Sequence, residues 1–366
     1  LKIRVGVIFG GRSGEHEVSL QSATSVINYL DKEKFDIVPL GISKEGKWLL
    51  PHEAKDALSS GLDVPSTEVI LRGGTGDLIP LENGVGVSAT KVDVVFPVLH
   101  GTYGEDGTIQ GLLELAQIPY VGSGVLASAV GMDKAFMKDV FAVKGLPIVP
   151  YRVYTFKEWQ SDMEGILNEL EESLEYPLFV KPANLGSSVG VSKAKDIEGL
   201  KKGIHEAFRY DRKIVVEQGL SNIREIECSV LGNDEPIASI PGEIIPNRDF
   251  YDYKAKYIDN ASELIIPAKL KPETKKRVQD LAVKAFKALD SAGMARVDFF
   301  VTQDEEVILN EINSIPGFTK ISMYPKLWEA SGIGYTELLT RLIELALERH
   351  QEKQRIETSF AIPLDE

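Results

Sequence analysis

Arg296-Val-Asp298, followed after a short break by Glu311-Ile-Asn313, is the stretch on which the reading of this chain turns. Residues 295–302 and 307–313 are rich in Val, Ile and Phe. They flank the polar run Gln303-Asp304-Glu305-Glu306, so a β-hairpin is predicted. With Thr302 opposite Val307, antiparallel pairing sets Asp298 against Glu311 and Arg296 against Asn313. Directly opposed residues share a face, and two carboxylates side by side repel. That face also receives Phe300, Leu309 and Val307. The other receives Val297, Phe299, Val301, Ile308 and Ile312. Both faces are apolar enough to be covered, where an unpaired carboxylate is costly. A divalent cation held by oxygen ligands resolves the conflict. On these residues alone, a solvated or Arg-paired face accounts for it equally well.

At 366 residues the chain can fill two or three domains with proper cores. Its net charge of −14 argues against nucleic acid or an anionic membrane as the main partner, so any phosphate site must be built locally. A single cysteine, Cys228, excludes an intrachain disulfide framework and fits a reducing cytosol. The sequence opens almost at once on an apolar strand, without a basic-then-apolar leader, and no apolar run reaches the ~20 residues that span a bilayer. The expectation is a soluble cytoplasmic protein.

The first third alternates strands and helices: strand 3–9, a helix carrying Val18, Ala23, Val26, Ile27 and Leu30, strand 35–42, a hairpin through 44–50, and strand 92–99. Residues 53–90 read as irregular, with Gly73, Gly74 and Gly76 as breakers. This is a doubly wound parallel α/β domain, whose ligands gather at the carboxyl ends of strands. Glu15 and His100 each lie in a loop just after such a strand. From Asp133 the style changes. Helices 133–144 and 157–174 and strands 177–181, 189–194 and 213–217 make a second, α+β unit. A third contains strands 225–232 and 236–245, a long loop over 246–262, helix 272–290, the hairpin, and helix 335–349. The domains are drawn at 1–132, 133–220 and 221–366.

Lys181-Pro-Ala-Asn-Leu-Gly186-Ser187-Ser188-Val-Gly190 is a pliable loop whose amides can cradle phosphate oxygens, with Lys181 as a point charge at a strand end. A glycine-rich hairpin turn with a surface lysine is the plainer alternative. Ile214–Leu220 is an apolar strand ending in Glu217 and Gln218, suited to an adenine edge or ribose, or simply a polar strand end. Gly122-Ser-Gly124-Val-Leu-Ala127 lacks the acidic partner of a dinucleotide-binding fingerprint. The aromatic and lysine-rich stretch Phe250–Tyr257 has the length of a lid. Gly317, soon after Asn313, lets backbone approach a ligand and offers an N–H to developing negative charge.

Together these motifs resemble the ATP-grasp superfamily, and within it the D-alanine–D-alanine ligases, over essentially the whole chain. The resemblance runs through Gly10–Ser19, His100-Gly101, Gly104–Gly107, Met132–Lys134, Lys181–Gly190, Glu217-Gln218, Arg224-Glu225, Tyr251–Tyr257, the hairpin, and Gly317–Met323. It implies a three-domain ATP-grasp architecture with ATP between the second and third domains. Lys134, Lys181, Ser187 and Ser188 are implied at the phosphates, and Glu217, Gln218, Leu220 and Glu225 at adenine and ribose. Asn310 and Glu311 are implied beside the nucleotide. Asp298, Glu311 and Asn313 are implied to hold two Mg²⁺ ions, with Mn²⁺ as a substitute. Two D-alanines are the implied substrates, joined through an acyl phosphate for peptidoglycan synthesis, with D-lactate or another carboxylate–amine pair as the alternative. Glu15 would hold the first ammonium, Ser322 the second carboxylate, and Arg296 with Gly317 the oxyanion. His100, Lys256, Tyr257 and Met323 complete the substrate pocket, and Ser187, Tyr257 and Glu15 link the lid to the first domain. A homodimer is the family expectation. The predicted register sets Arg296 beside Asn313, and so leaves it for the oxyanion rather than for neutralising Asp298.

Overall fold

The computed structural model describes residues 2–51, 58, 62, 64, 66–82, 85, 86, 89–245 and 263–357. Three sheets organise these residues. The first begins with β1 (Ile3–Gly10), α1 (His16–Tyr29), β2 (Phe35–Ile42) and β3 (Trp48–Pro51). It continues with β4 (Ser66–Leu71), β5 (Asp77–Glu82), β6 (Val85–Gly86), β7 (Thr90–Lys91) and β8 (Val94–Pro97). β1 runs parallel to both β2 and β8, and its register with β2 is continuous from Ile3↔Phe35 to Gly10↔Ile42. Val5, Val7, Phe9, Val94 and Phe96 are fully buried, as a parallel strand covered on both faces requires. The parallel arrangement stops there: β2, β3, β4 and β5 pair antiparallel in turn.

The segment expected to be irregular therefore carries the antiparallel half of this sheet. Gly74 and Gly76, both at positive φ, form the turn between β4 and β5 rather than dissolving the structure around them. α2 (Thr108–Ala116) follows, and α3 (Val125–Met132) follows Gly124.

After α4 (Lys134–Val143) comes the four-stranded antiparallel sheet β11-β10-β12-β9. Its strands are β9 (Tyr151–Thr155), β10 (Leu178–Pro182), β11 (Ser192–Ala194) and β12 (Lys213–Gln218). The predicted helix 157–174 is two helices, α5 (Phe156–Ser161) and α6 (Met163–Ser173). Asp162 leaves the helical region and caps the second by accepting from the Gly165 N–H. β9 and α7 (Ile197–Ala207) were not anticipated. The unit has its own core, in which Leu170, Leu178, Val180, Ile204 and Ile214 are buried together.

The third sheet, β16-β15-β13-β17-β18 with β14 on its edge, is antiparallel throughout. It contains β13 (Arg224–Gly232), β14 (Ile237–Ala238), β15 (Gly242–Ile245), β16 (Glu263–Ile265), β17 (Gly293–Val301) and β18 (Val307–Asn313). The predicted strand 236–245 breaks at Pro241, which has no N–H for a ladder. One face packs on α8 (Pro272–Ala288) and also on Met137 and Phe141 of α4, so α4 contributes to this core although it precedes the central sheet. α9 (Met323–Ala330) and α10 (Tyr335–Gln354) place Tyr324, Trp328 and Leu342 in one cluster with Val5 and Phe96 of the first sheet.

The hairpin departs from its prediction in one respect. Arg296↔Asn313 and Asp298↔Glu311 pair as expected, but beyond them Phe299 meets Leu309 and Val301 meets Val307. Asn310 is an extra residue, a β-bulge between Asp298 and Phe299. Because side chains alternate, one inserted residue exchanges the faces. Val307 and Leu309 join Val297, Phe299, Val301 and Ile312 in the core, while Ile308 leaves it.

Candidate active site

The three sheets enclose a cleft of about 1170 Å³. Its lining includes Glu15, His100, Lys134, Lys181, Ser187, Ser188, Gln218, Leu220 and Glu225, and also Arg296, Asp298, Asn310, Glu311, Asn313, Gly317, Ser322 and Met323. Residues up to 308 positions apart thus meet in one space. Lys256 and Tyr257 lie outside the described residues.

Its roof is the loop between β10 and β11. Ser187 and Ser188 both hold left-handed φ, 52° and 57°, a conformation that favours glycine and that a non-glycine residue keeps only when its surroundings impose it. Here the Ser187 hydroxyl donates to the Glu15 carboxylate, which ties the loop to the first domain. Gly186 lies so close that a Cβ there would come 2.9 Å from Glu15 Oε2. The Lys134 ammonium donates to the Leu185 carbonyl at 2.7 Å and so anchors the same loop from α4.

Lys181 sits in a buried triad. Its Nζ is 2.8 Å from Glu217 Oε2, and Lys138 Nζ is 3.3 Å from Glu217 Oε1. Lys138 and Glu217 are 1% and 3% exposed. Burial works against the Lys181 charge, but Glu217 and Glu311 outweigh it and its pKa rises. Lys138 shows the opposite balance: desolvation dominates the pull of Glu217, and its pKa falls. For Glu217, burial is outweighed by the two lysines, and the carboxylate stays ionised. Glu217 is therefore a buried counter-ion between two ammonium groups, a pairing that the sequence reading did not include. The sequence located a carboxylate at a strand end but had no way to show that Lys138, on a helix, would meet it. Gln218 does line the cleft, with its Oε1 accepting from the Glu175 N–H.

The floor is the hairpin, where a second expectation fails. Arg296 is not clear of Asp298: its Nε and Nη2 each lie 2.7 Å from the two carboxylate oxygens, and Nε also lies 2.9 Å from Glu227. Alternate residues of one strand share a face, and a guanidinium is long enough to close a bidentate pair across that spacing. Asn313 Nδ2 adds a 3.0 Å bond to Asp298 Oδ2. Glu227, opposite Asp298 on β13, was not singled out from the sequence. The donors nonetheless suit a hard cation. Asp298 and Glu311 offer carboxylates, Asn313 its amide oxygen, and Asn310 Oδ1 is buried with no hydrogen-bond partner. Among the described residues no three His, Cys, Asp or Glu side chains converge. A small hard cation held by so few side chains would accept phosphate oxygens and water as further ligands.

A loop of the first domain meets the segment after Asn313. His100 Nδ1 is 3.2 Å from the Ile315 carbonyl, and its Nε2 is 3.0 Å from Ser22 Oγ. Glu105, quoted only as part of a motif above, accepts from the Gly101 N–H at 2.8 Å and the Ile315 N–H at 3.2 Å. Burial, reinforced by the charge of Glu15, pushes Glu105 up to about 8. Burial lowers His100 despite Glu15, so its ring is neutral. Gly101, at φ +74°, has no room for a Cβ, which would meet Glu15 Oε2 at 2.4 Å. Ser322 accepts from the Thr319 N–H at 3.0 Å and bonds the Thr319 hydroxyl at 2.7 Å.

A lysine- and serine-bearing loop closing over an acidic hairpin, with an α/β domain sealing the open side, defines an ATP-grasp ligase. Known proteins agree. The family model described as "D-ala D-ala ligase N-terminus" matches residues 4–123, and "D-ala D-ala ligase C-terminus" matches 140–344. The D-alanine–D-alanine ligase of Natranaerobius thermophilus is 51% identical over 98% of this chain and 99% of its own. That of Acetivibrio thermocellus is 53% identical over 96% and 97%. The D-alanine–D-alanine ligase structure from Coxiella burnetii superposes with a TM-score of 0.84 at 40% identity, covering 97% of this chain and 96% of that one. The VanG D-Ala:D-Ser ligase of Enterococcus faecalis gives 0.85 at 37%, covering 94% and 100%. The chain belongs to the D-alanine–D-alanine ligase family, and it is an ATP-dependent ligase. No helix among the described residues is long and apolar enough to cross a membrane.

Proposed function

We propose that this protein joins two D-alanines into D-alanyl-D-alanine while ATP becomes ADP and phosphate, in the cytoplasm and as a homodimer, to supply peptidoglycan synthesis. The observation that carries this reading is the closure of the Gly186–Ser188 loop onto Glu15 directly across from the acidic hairpin. A phosphate loop, an ammonium acceptor and a metal floor then share one cavity.

Lys181 and Lys134 hold the phosphates from the central domain, and the Ser187–Ser188 backbone covers them. Asp298, Glu311 and Asn313 would hold two Mg²⁺ ions, whose positive charge would offset the negative charge that develops on the phosphoryl oxygens. Glu15 binds the ammonium of the first D-alanine, whose carboxylate is phosphorylated. Ser322 receives the carboxylate of the second, whose amine attacks the resulting acyl phosphate. The Gly317 N–H stabilises the tetrahedral oxyanion, a contribution typically of ~3–4 kcal/mol per donor. Arg296 contributes as a positive charge fixed by Asp298 and Glu227. The Ser187–Glu15 contact excludes water from the hydrolysable acyl phosphate. Lys256 and Tyr257, which lie outside the described residues, are assigned to the substrate on the family resemblance.

The test mixes the protein, Mg²⁺ and ATP with D-alanine, L-alanine, D-serine or D-lactate, and follows phosphate and product. Stoichiometric phosphate and D-alanyl-D-alanine are expected with D-alanine alone. Phosphate release without dipeptide would overturn the reading, and turnover only with D-serine or D-lactate added would reassign the acceptor.

A further inference from the structure

Between Ile315 and Thr319 every backbone N–H but one is tied to a side chain. Ile315 N–H donates to Glu105 Oε1, Phe318 N–H to Ser22 Oγ at 3.3 Å, and Thr319 N–H to Ser322 Oγ. Pro316 has no N–H. Within this stretch of described residues, only the Gly317 N–H, on the cleft wall, has no bond. The carbonyls are held as well: Ile315 by His100, and Phe318 by the Tyr335 hydroxyl. Ser22 and His100 are buried and Glu105 is half-buried, and the three form one consistent circuit. A carbonyl can only accept, so His100 Nδ1 must carry the proton and Nε2 must accept from the Ser22 hydroxyl. The Ser22 oxygen is thereby left to receive the Phe318 N–H. Glu105 closes the circuit by grasping Gly101 with one oxygen and Ile315 with the other.

We propose that Ser22, His100 and Glu105 are positioning residues for acyl transfer: acting from the first domain, they hold Ile315–Phe318 so that the Gly317 N–H alone is presented to the oxyanion. This rests on the reading of Gly317 as an oxyanion donor. The loop His100–Glu105 also packs Gly101 against Glu15, so a single loop sets the spacing between the bound ammonium and the donor for the reacting carbonyl. His100, expected to touch substrate, acts through the backbone instead, since both ring nitrogens are committed to the protein.

The test uses the full-length protein and two near-isosteric changes on different elements, Glu105→Gln and Ser22→Ala. A displaced donor is expected to lower kcat by ~10- to 100-fold, since misplacement by about 1 Å can cost 10². KM for ATP should stay within about twofold, because the nucleotide contacts lie elsewhere. Inhibition by a phosphinate dipeptide, which mimics the tetrahedral adduct, should weaken in step with kcat/KM. Wild-type kcat in both variants, or a kcat loss without a change in phosphinate inhibition, would overturn the proposal. A third measurement needs no variant. ¹⁵N NMR of the wild-type protein should find His100 protonated on Nδ1 at neutral pH, and an Nε2–H tautomer would sink the circuit. Failure of the functional reading is distinct: wild-type protein would then form no dipeptide at all.

Discussion

Individual charges in this cleft are set by neighbours that lie far away in sequence. Glu105 illustrates the consequence for pH. Its pKa rises from 4.5 to about 8 on folding, first by burial and then by Glu15, so the folded state favours its proton. The resulting stability is fully present below about 4.5 and is lost as pH rises towards about 8. His100, lowered by burial, gives the opposite limb, with stability lost as pH falls below 6.5. Glu105→Gln should flatten only the first limb. Relative to wild type, the variant should therefore lose stability at pH 5 compared with pH 8, read as a lower urea midpoint at pH 5 relative to its own midpoint at pH 8, and parallel profiles would contradict this. The Glu217 triad makes a second prediction. Glu217→Leu leaves Lys138 and Lys181 buried without their counter-ion and should cost ~3–5 kcal/mol. Lys138→Met leaves Glu217 its partner Lys181 and should cost clearly less; equal losses by chemical denaturation would refute the assignment. The residues of both clusters were legible as polar groups at strand ends. Their partners were not, because burial and pairing depend on which elements meet.

At the level of elements, the roof loop and the hairpin differ in how much the sequence revealed. Two glycines and two serines after a lysine announced a pliable phosphate loop. The left-handed φ of Ser187 and Ser188 was not announced, because it belongs to a loop that Ser187 ties to Glu15, 172 positions away in sequence. Gly186→Ala should place a methyl 2.9 Å from Glu15 Oε2 and hold the loop open. The expected result is a rise of ~10-fold or more in KM for ATP, with phosphate release less well coupled to dipeptide; unchanged kinetics would show that the contact is dispensable. In the hairpin, alternation on β17 was readable and correct from Arg296 to Phe300. On β18 it failed beyond Asn310, because a bulge has no signature in hydrophobic alternation alone. The bulge has a chemical effect: Asn310 and Glu311 both reach the cleft while Leu309 and Ile312 stay in the core.

The whole molecule joins units of unequal independence. The central sheet has a core of its own, whereas the first sheet and the C-terminal helices share one. Arg349 strengthens that union by donating to the Tyr120 and Gly122 carbonyls while its guanidinium lies 4.5 Å from the Tyr120 ring centroid. Native-state hydrogen exchange should accordingly show the central unit, from β9 to β12, opening separately from the rest, with ATP and Mg²⁺ slowing that opening selectively. Simultaneous exchange of all three sheets would argue against it. Separate opening of the central unit would let the enzyme admit ATP and then exclude water.

The α/β opening, the two α+β units, the acidic hairpin with its Asp298–Glu311 opposition, and the family were all readable from the order of residues. All of these are local: periodicity, turn chemistry and short motifs act within a few residues. Only the folded arrangement decided that Arg296 neutralises Asp298, that Glu217 lies between two lysines, and that a first-domain loop grips the segment containing Gly317. Each of those outcomes depends on a desolvated charge or backbone group finding its partner across a domain boundary, and such pairing is fixed only when the three sheets close on one another.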